Sequence, residues 1–404
     1  MGSVLALGCV PFILASAMAQ NLFPCRADTA WGYCDSLKQV VIPVQYGSAS
    51  IFSPAGIATV REGSSFGFID TTGGEVTSIR SERWVYFWSD VCPIWQDGKV
   101  GMINSKGEWV LSPDFEDVDF VSSGPIAMRS STGWSLYSRT GKRLTKWPAT
   151  NILIRSATLI GVELDGKWGF VDHRGKRVIK PAFQDVHGFD DEGRCAVMRD
   201  GSWGFMDRKG KLLFPPKYAV VRGFQEEGAW VKINGKWGLI DTAGGSIIPP
   251  CYEEVSYFKE GLAYVKLSGH WGYVDPNGMI AIPFQYEQAF EFSEGLAEVC
   301  LNDSACGYID TQGNIVIPLN YDINFGGEFS EGLAEVRKYE LYGFIRKTGE
   351  VVIPVQHRTV ADYNSFENGI GELLVKEKEG QIEDSDDSRR FFFDRHGTVF
   401  LIDR

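Results

Sequence analysis

Five histidines and 52 acidic residues are the side chains of this 404-residue chain best suited to acid–base or metal chemistry. The HExxH pattern, the phosphate-binding P-loop and a strand-to-helix GxGxxG are missing from the sequence. A glycosidase would need two carboxylates about 5–10 Å apart in a cleft, and no spacing selects such a pair. The sequence therefore predicts no catalytic residue, no cofactor and no metal site, which favours a protein that is not an enzyme.

One aspartate recurs just before a turn in five consecutive segments of the chain. A carboxylate there can accept hydrogen bonds from backbone N–H groups two residues on. A column of carboxylates could also bind cations or serve catalysis, but a turn requirement by itself produces such regular spacing. The turn role is therefore favoured for Asp172, Asp207, Asp241, Asp275 and Asp310.

The cysteines indicate disulfides and not a metal centre, because no CxxC and no Cys/His group with zinc spacing occurs. Cys300 ends one predicted strand and Cys306 begins the next, so a hairpin would bring them close enough for a disulfide. Cys25 and Cys34 offer a second pair. The remaining cysteines of the mature chain are predicted to be small core residues: Cys92, Cys195 and Cys251.

An aromatic cluster between residues 84 and 95 contains Trp84, Trp88 and Trp95. The cluster fits two roles. It would form a capping core at the end of the fold, or an exposed surface on which a sugar or a peptide stacks.

Short β-strands are predicted to position the aspartates, cysteines and tryptophans named above. WGLID (237–241), SIIPPCYEEV (246–255) and LAYVKL (262–267) each have the length and residue types of a strand and are separated by turns. They predict a three-strand meander. The glycine of the WG pair recurs every 34–36 residues, with a serine in one place: Gly32, Gly67, Gly101, Ser135, Gly169, Gly204, Gly238, Gly272, Gly307 and Gly343.

Four segments are nearly identical: KWGFVDHRGKRVIKPAFQ (167–184), SWGFMDRKGKLLFPPKYA (202–219), KWGLIDTAGGSIIPPCYE (236–253) and HWGYVDPNGMIAIPFQYE (270–287). They resemble the WG repeat family, bacterial β-rich repeats of about this length. The resemblance covers almost the whole chain after its first twenty or so residues. It implies a β-rich repeat fold and carries no catalytic residues over to this chain.

Several repeat positions have structural roles in this interpretation. Once per unit, a tryptophan is expected to pack on the next one in a row: Trp168, Trp203, Trp237 and Trp271. The glycines after them, Gly169, Gly204, Gly238 and Gly272, would leave room for that ring or adopt a special backbone conformation. The prolines of the IPP run cannot donate to a ladder and should mark a bulge or a solvent-facing edge.

The first residues predict export. Residues 1–19 are uncharged, and the small-x-small triplet Ala17-Met18-Ala19 predicts a signal peptide cleaved after Ala19, although the usual basic start is missing. A buried first strand is the alternative. The mature chain would then be periplasmic or extracellular, with no membrane span. The net charge of −12 argues against nucleic acid as a partner, because phosphates bind basic surfaces.

We therefore expect an all-β protein of about ten stacked three-strand units in a superhelical, solenoid-like array, with a closed propeller-like ring as the alternative. After the signal peptide, residues 20–160 would hold degenerate repeats and a cap, 161–360 regular repeats, and 361–404 a closing repeat with an acidic insertion. The expected function is that of an exported, non-catalytic scaffold for a protein partner. A carbohydrate-binding or carbohydrate-active envelope protein and a purely structural spacer are the alternatives.

Overall fold

The computed structural model describes residues 22–357, apart from 28, 36–38, 88–89, 122, 156–157 and 324–326, and the backbone of four later strands. The predicted signal peptide lies outside the described residues. Every regular element in the described part is a β-strand, and none of those residues forms a helix long and apolar enough to cross a membrane.

The chain divides into two compact units. Unit 1 comprises Met1–Arg199 with Arg208–Gly210, and unit 2 comprises Asp200–Asp207 with Lys211–Arg404. Unit 1 contains β1 (Phe23–Ala27), β2 (Ala30–Cys34), β3 (Val40–Tyr46), β4 (Ile57–Glu62), β5 (Ser65–Asp70), β6 (Glu75–Ser81), β7 (Val91–Gln96), β8 (Lys99–Asn104), β9 (Trp109–Phe115), β10 (Asp117–Phe120), β11 (Ile126–Ser130), β12 (Gly133–Tyr137), β13 (Ile152–Leu153), β14 (Leu159–Leu164), β15 (Lys167–Asp172), β16 (Arg177–Phe183), β17 (Asp185–Val186) and β18 (Arg194–Arg199).

The described strands of unit 2 are β19 (Ser202–Asp207), β20 (Leu212–Tyr218), β21 (Val220–Val221), β22 (Ala229–Ile233), β23 (Lys236–Ile240), β24 (Ser246–Tyr252), β25 (Glu254–Val255), β26 (Ala263–Leu267), β27 (His270–Val274), β28 (Ile280–Tyr286), β29 (Gln288–Ala289), β30 (Leu296–Cys300), β31 (Cys306–Asp310), β32 (Ile315–Tyr321), β33 (Leu333–Lys338), β34 (Leu341–Arg346), β35 (Val351–His357), β36 (Phe366–Glu367), β37 (Ile370–Lys376), β38 (Ser388–Asp394) and β39 (Val399–Asp403).

Antiparallel strands follow one another in chain order within small sheets, as expected for a meander. In unit 1 the sheets are β1–β3, β4–β6, β7–β9, β10–β12 and β13–β16. In unit 2 they include β21–β24, β25–β28, β29–β32, β33–β35 and β36–β39. The predicted all-β tandem repeat is therefore confirmed, with three or four strands in each of these sheets.

The sheets group the strands differently from the predicted three-strand meander of 237–241, 246–255 and 262–267. The run 246–255 is divided between two sheets, because β24 pairs with β23 whereas β25 pairs with β26. The LAYVKL run forms β26, which pairs with β27, the WG strand that follows it in the chain. A sheet therefore begins with the end of one sequence repeat and finishes in the next, so neighbouring repeats are joined by hydrogen-bonded strands.

The proline-containing run forms the last strand of its sheet, where an N–H group is not needed for a ladder. Opposite Gly238 the pairing of β23 with β24 shifts register, and 249–251 form a bulge. A Cβ on Gly238 would lie 2.6 Å from the carbonyl oxygen of Ile248 and 2.8 Å from the nitrogen of Pro250. Its φ lies outside the left-handed region. Glycine is therefore required at this position by the approach of another backbone, and neither reason given from the sequence applies to Gly238.

The repeat tryptophans differ in burial and in the core cluster to which they belong. Trp203, Trp237 and Trp271 are each 8% exposed, whereas Trp168 is half-buried. Trp237 and Trp271 lie in separate core clusters, so these two rings are not stacked in one row as expected. The WG positions lie on β15 (Trp168, Gly169), β19 (Trp203, Gly204), β23 (Trp237, Gly238), β27 (Trp271, Gly272) and β31 (Gly307).

The EGLA segments of unit 2 form hydrogen bonds between repeats. Glu260 and Glu294 have φ values of 51° and 52°, in the left-handed region that non-glycine residues rarely adopt. The N–H of Gly295 donates to Glu260 Oε2 at 2.9 Å, and the N–H of Gly332 donates to Glu294 Oε2 at the same distance. Each glutamate therefore caps the equivalent turn one repeat further along the chain.

Candidate aromatic binding groove

An aromatic groove lies in unit 1 at one of the places that the sequence singled out. Its volume is about 750 Å³, within the range of sites that hold small ligands or peptide side chains. The strands β1, β2 and β4 supply part of the lining, and residues 49–54 and 84–87 of the connecting segments supply the rest. The principal lining residues are Pro24, Trp31, Ile51, Phe52, Pro54, Trp84, Tyr86 and Phe87.

Contacts between aromatic rings fix one wall of the aromatic groove. Trp84 packs edge-on against Phe66 at 5.4 Å between ring centroids and against Tyr86 at 5.7 Å. Phe87 packs in the same manner on Phe68, which is fully buried. Because Tyr86 remains 46% exposed, this wall combines a fixed base with an accessible aromatic rim.

Hydrogen bonds fix the opposite wall. The Tyr33 hydroxyl donates to the Ser50 carbonyl oxygen at 2.8 Å, and burial is the main reason why the pKa of Tyr33 is raised. Thr59 Oγ1 donates to the Val85 carbonyl oxygen at 2.7 Å and so ties the two walls together. Ile51, in the same wall, is 70% exposed. The aromatic groove is thus preformed, with the exposed side chain of Tyr86 on one rim and that of Ile51 on the other.

The described lining of the aromatic groove is uncharged. The Ser50 and Thr59 hydroxyls already have partners within the chain, since Ser50 Oγ donates to the Ile51 carbonyl oxygen and accepts the N–H of Thr59, and Thr59 Oγ1 donates to the Val85 carbonyl oxygen. A guanidinium group stands close by, because Arg26 lies 5.8 Å from the centroid of Trp31. The groove therefore offers aromatic and apolar contact with few polar groups available to a ligand.

The three tryptophans singled out from the sequence have different surroundings. Trp84 lines the aromatic groove. Trp95 is half-buried, and the Arg83 guanidinium lies 3.8 Å from the centre of its ring. Trp88 lies outside the described residues. Sequence reasoning missed Trp31, although the adjacent Gly32 was identified as a repeat position, and it also missed the Phe52–Pro54 segment. The sequence signal that could have identified this segment was an aromatic residue and a proline in a loop that departs from the repeat pattern.

The recurring aspartates take part in turns. In Asp241 and Asp275, Oδ1 accepts hydrogen bonds from the backbone N–H groups two and four residues on, at 2.7–2.9 Å. Asp172 and Asp310 accept the same pair, and the N–H of Lys211 donates to Asp207. In Asp310, hydrogen bonds from the Asn314 side chain and from backbone N–H groups lower the pKa of the carboxyl group.

Two disulfides are present in the described part of the chain, Cys25–Cys34 and Cys300–Cys306. Cys92 and Cys195 are buried, and burial raises the pKa of both thiols. Cys251 is exposed on the edge strand β24, so the expectation that it is a core residue is wrong. Its position in the proline bulge explains this, because that segment bends away from the ladder.

One segment has the letter spacing of a serine-nucleophile motif, GxSxG: residues 63–67, GSSFG. That motif needs a turn from a strand into a helix. Here the segment is the tight hairpin between β4 and β5, and the Ser65 hydroxyl donates to the Glu62 carbonyl oxygen at 3.4 Å. The spacing therefore gives no support for a nucleophile.

Two solved structures are distantly similar to this chain. A crystal structure of a eukaryotic initiation factor aligns with 10% identity and a TM-score of 0.43, covering 78% of this chain and 96% of the other. BamB from Moraxella catarrhalis aligns with 12% identity and a TM-score of 0.34, covering 73% and 95%. Neither similarity bears on function, and no curated protein sequence matches the chain.

The family comparison agrees with the repeat geometry. The WG containing repeat matches seven segments that together make up more than half of the chain: 31–64, 101–128, 168–203, 203–237, 237–269, 271–303 and 307–342. Five of these matches begin at the tryptophan of a WG pair. The chain belongs to the family of proteins built from WG containing repeats.

Proposed function

We propose that this protein is a non-catalytic binding protein that holds an extended, proline-containing segment of a partner protein in the aromatic groove. The supporting observation is the groove itself, a preformed and uncharged cleft of about 750 Å³ with exposed aromatic and apolar rims. Aromatic-lined grooves suit polyproline segments, because such a segment is already extended and loses little entropy on binding.

The polar groups of the aromatic groove favour a peptide over a sugar. A sugar ring stacks on tryptophan or tyrosine but also needs hydrogen-bond partners for its hydroxyl groups. The Ser50 and Thr59 hydroxyls are engaged within the chain, and no described lining residue supplies a carboxylate or an amide side chain. Proline rings need only apolar contact, which this lining supplies.

The remaining features support a scaffold outside the cytoplasm. Tandem sheets provide an extended surface on which a partner can be held at several places. The two disulfides are typical of proteins that fold in an oxidising compartment, and the apolar start of the sequence supports export. We therefore propose a periplasmic or extracellular location.

Peptide binding tests this function directly. Short synthetic peptides, one set uncharged and proline-containing and one set with the prolines replaced by alanine, would be titrated into the mature chain by calorimetry. We expect binding of the proline-containing set. Trp84→Ala should weaken it at least about tenfold, since buried aromatics at the centre of a contact commonly contribute 2 kcal/mol or more.

Tyr339→Ala provides the matched control, because Tyr339 is a 79% exposed aromatic that is not among the lining residues of the aromatic groove. It should leave the affinity unchanged. Soluble oligosaccharides would be titrated in parallel. Oligosaccharide binding that Trp84→Ala abolishes, without peptide binding, would replace the proposal with a glycan-binding function. Equal binding of both peptide sets would show that proline is not recognised.

A further inference from the structure

The hairpin of β30 and β31 brings two sulfur atoms and a carboxylate together inside unit 2. Cys300 is paired with Cys306 across the hairpin, and Glu298 precedes Cys300 by two residues and therefore lies on the same face. The three donor atoms lie within 4.8 Å of one another. Glu298 is 5% exposed, and both cysteines are fully buried. Among the described residues, no other group of three His, Cys, Asp or Glu donors converges in this way.

A small cavity lies beside Glu298, one of the three donors. It has a volume of about 10 Å³, and its lining includes Glu291, Glu298, Glu328 and Tyr308. That volume is near the lower limit for one ordered water molecule. The Tyr308 hydroxyl donates to the Gly327 carbonyl oxygen at 2.7 Å, which fixes one side of the cavity. Three carboxyl groups around a space of this size favour a cation over an anion or an apolar ligand.

We propose that reduction of the Cys300–Cys306 disulfide converts this hairpin into a buried binding site for a thiophilic divalent cation such as Zn²⁺. A dithiol reductant breaks the S–S bond, supplies two electrons and two protons, and is itself oxidised to a disulfide. The two thiols release their protons when the cation binds. The Cys300 and Cys306 thiolates and one Glu298 oxygen then serve as ligands, and a water molecule completes a four-coordinate site.

The donor types select the cation. Thiolates with one carboxylate suit zinc or cadmium, whereas calcium and magnesium require six or more oxygen ligands. The oxidised hairpin cannot bind the cation, because a disulfide sulfur carries no negative charge. The loop that joins the two cysteines, 301–305, is exposed over most of its length, so opening of this end of the hairpin gives a reductant access to the buried disulfide. The site is therefore controlled by redox state and is independent of the aromatic groove.

Cadmium titration of the mature chain tests the proposal, because thiolate-to-cadmium charge transfer gives an ultraviolet absorbance band. The chain would be reduced with a phosphine, which does not compete for the metal. The Cys25→Ser/Cys34→Ser double variant serves as the background, since it removes the other disulfide and leaves the hairpin intact. We expect saturation at one Cd²⁺ per reduced chain, and no band in the oxidised chain.

Two variants of the hairpin decide the outcome. Cys300→Ser should abolish the band. Glu298→Gln keeps both thiols and the shape of the side chain, and should weaken binding at least about tenfold, because even the indirect partners of metal ligands contribute that much. The proposal is overturned if Glu298→Gln binds as tightly as the background variant, or if the band persists in Cys300→Ser. Should Cys300→Ser lose its native circular dichroism, Glu298→Gln alone decides.

Discussion

Replacement of Gly238 by alanine should destabilise unit 2, and the size of the effect follows from two distances. The new Cβ would lie 2.6 Å from the Ile248 carbonyl oxygen and 2.8 Å from the Pro250 nitrogen, both backbone atoms. Neither can rotate away as the end of a side chain would, so the β23–β24 pair must separate. Overpacking of this kind costs about 1–3 kcal/mol. Alanine normally stabilises a strand relative to glycine. The expected change in the free energy of unfolding therefore has the opposite sign from the change that intrinsic strand propensity predicts.

Gly223→Ala is the matched control, because nothing lies within 4 Å of the added Cβ and its φ is not positive. It should be neutral or slightly stabilising, by up to about 1 kcal/mol. Urea unfolding followed by tryptophan fluorescence measures both variants on the mature chain. If Gly238→Ala unfolds at the same urea concentration as Gly223→Ala, the bulged strand is free to move and the explanation of the WG glycine fails.

Two further predictions concern the turns and the contacts between repeats. In Asp310 the pKa is lowered in the folded chain by hydrogen bonds from the Asn314 side chain and from backbone N–H groups. Because this pKa is lower in the folded chain than in the unfolded chain, the carboxylate stabilises the folded protein at pH values above the unfolded pKa of about 3.9. This stabilisation is lost as the pH falls through the folded pKa. The urea midpoint should therefore fall as the pH drops below about 4, and Asp310→Asn should make that fall shallower; an unchanged pH profile in the variant would contradict this role. Glu294→Ala removes the acceptor of the Gly332 N–H, and loss of one such bond should speed hydrogen exchange of that amide about tenfold. Exchange measured by NMR at an unaltered rate would show that the glutamate does not hold the next turn.

Local sequence patterns were sufficient to predict the role of a residue wherever its partners lie in the same turn or hairpin. The aspartate before each turn is such a case, because its carboxylate satisfies backbone N–H groups only two and four residues away. The pairing of Cys300 with Cys306 is another, because a short loop between two strands leaves few alternatives. These interactions lie within a single hairpin, where spacing along the chain and distance in space are closely related.

Contacts between repeats were not predictable in the same way. The role of Glu260 depends on the N–H of Gly295, which is 35 residues away in the chain. The exposed position of Cys251 depends on the bulge in β24, the strand that contains Pro249 and Pro250. A periodic sequence shows that a residue recurs, but it does not show whether its side chain contacts its own hairpin, another strand of its own sheet or the next repeat.

The sequence by itself determined the β-strand class, the period of 34–36 residues and the family, because alternation and turn residues act over a few positions and then repeat. Only the tertiary structure decided which strands share a sheet and why the WG glycine must be glycine. It also decided which aromatic residues line a groove. Trp84 and Trp31 are 53 positions apart in the chain and meet in the aromatic groove because separate sheets place them there. Strand pairing and packing between sheets depend on three-dimensional contacts, which periodicity alone does not specify.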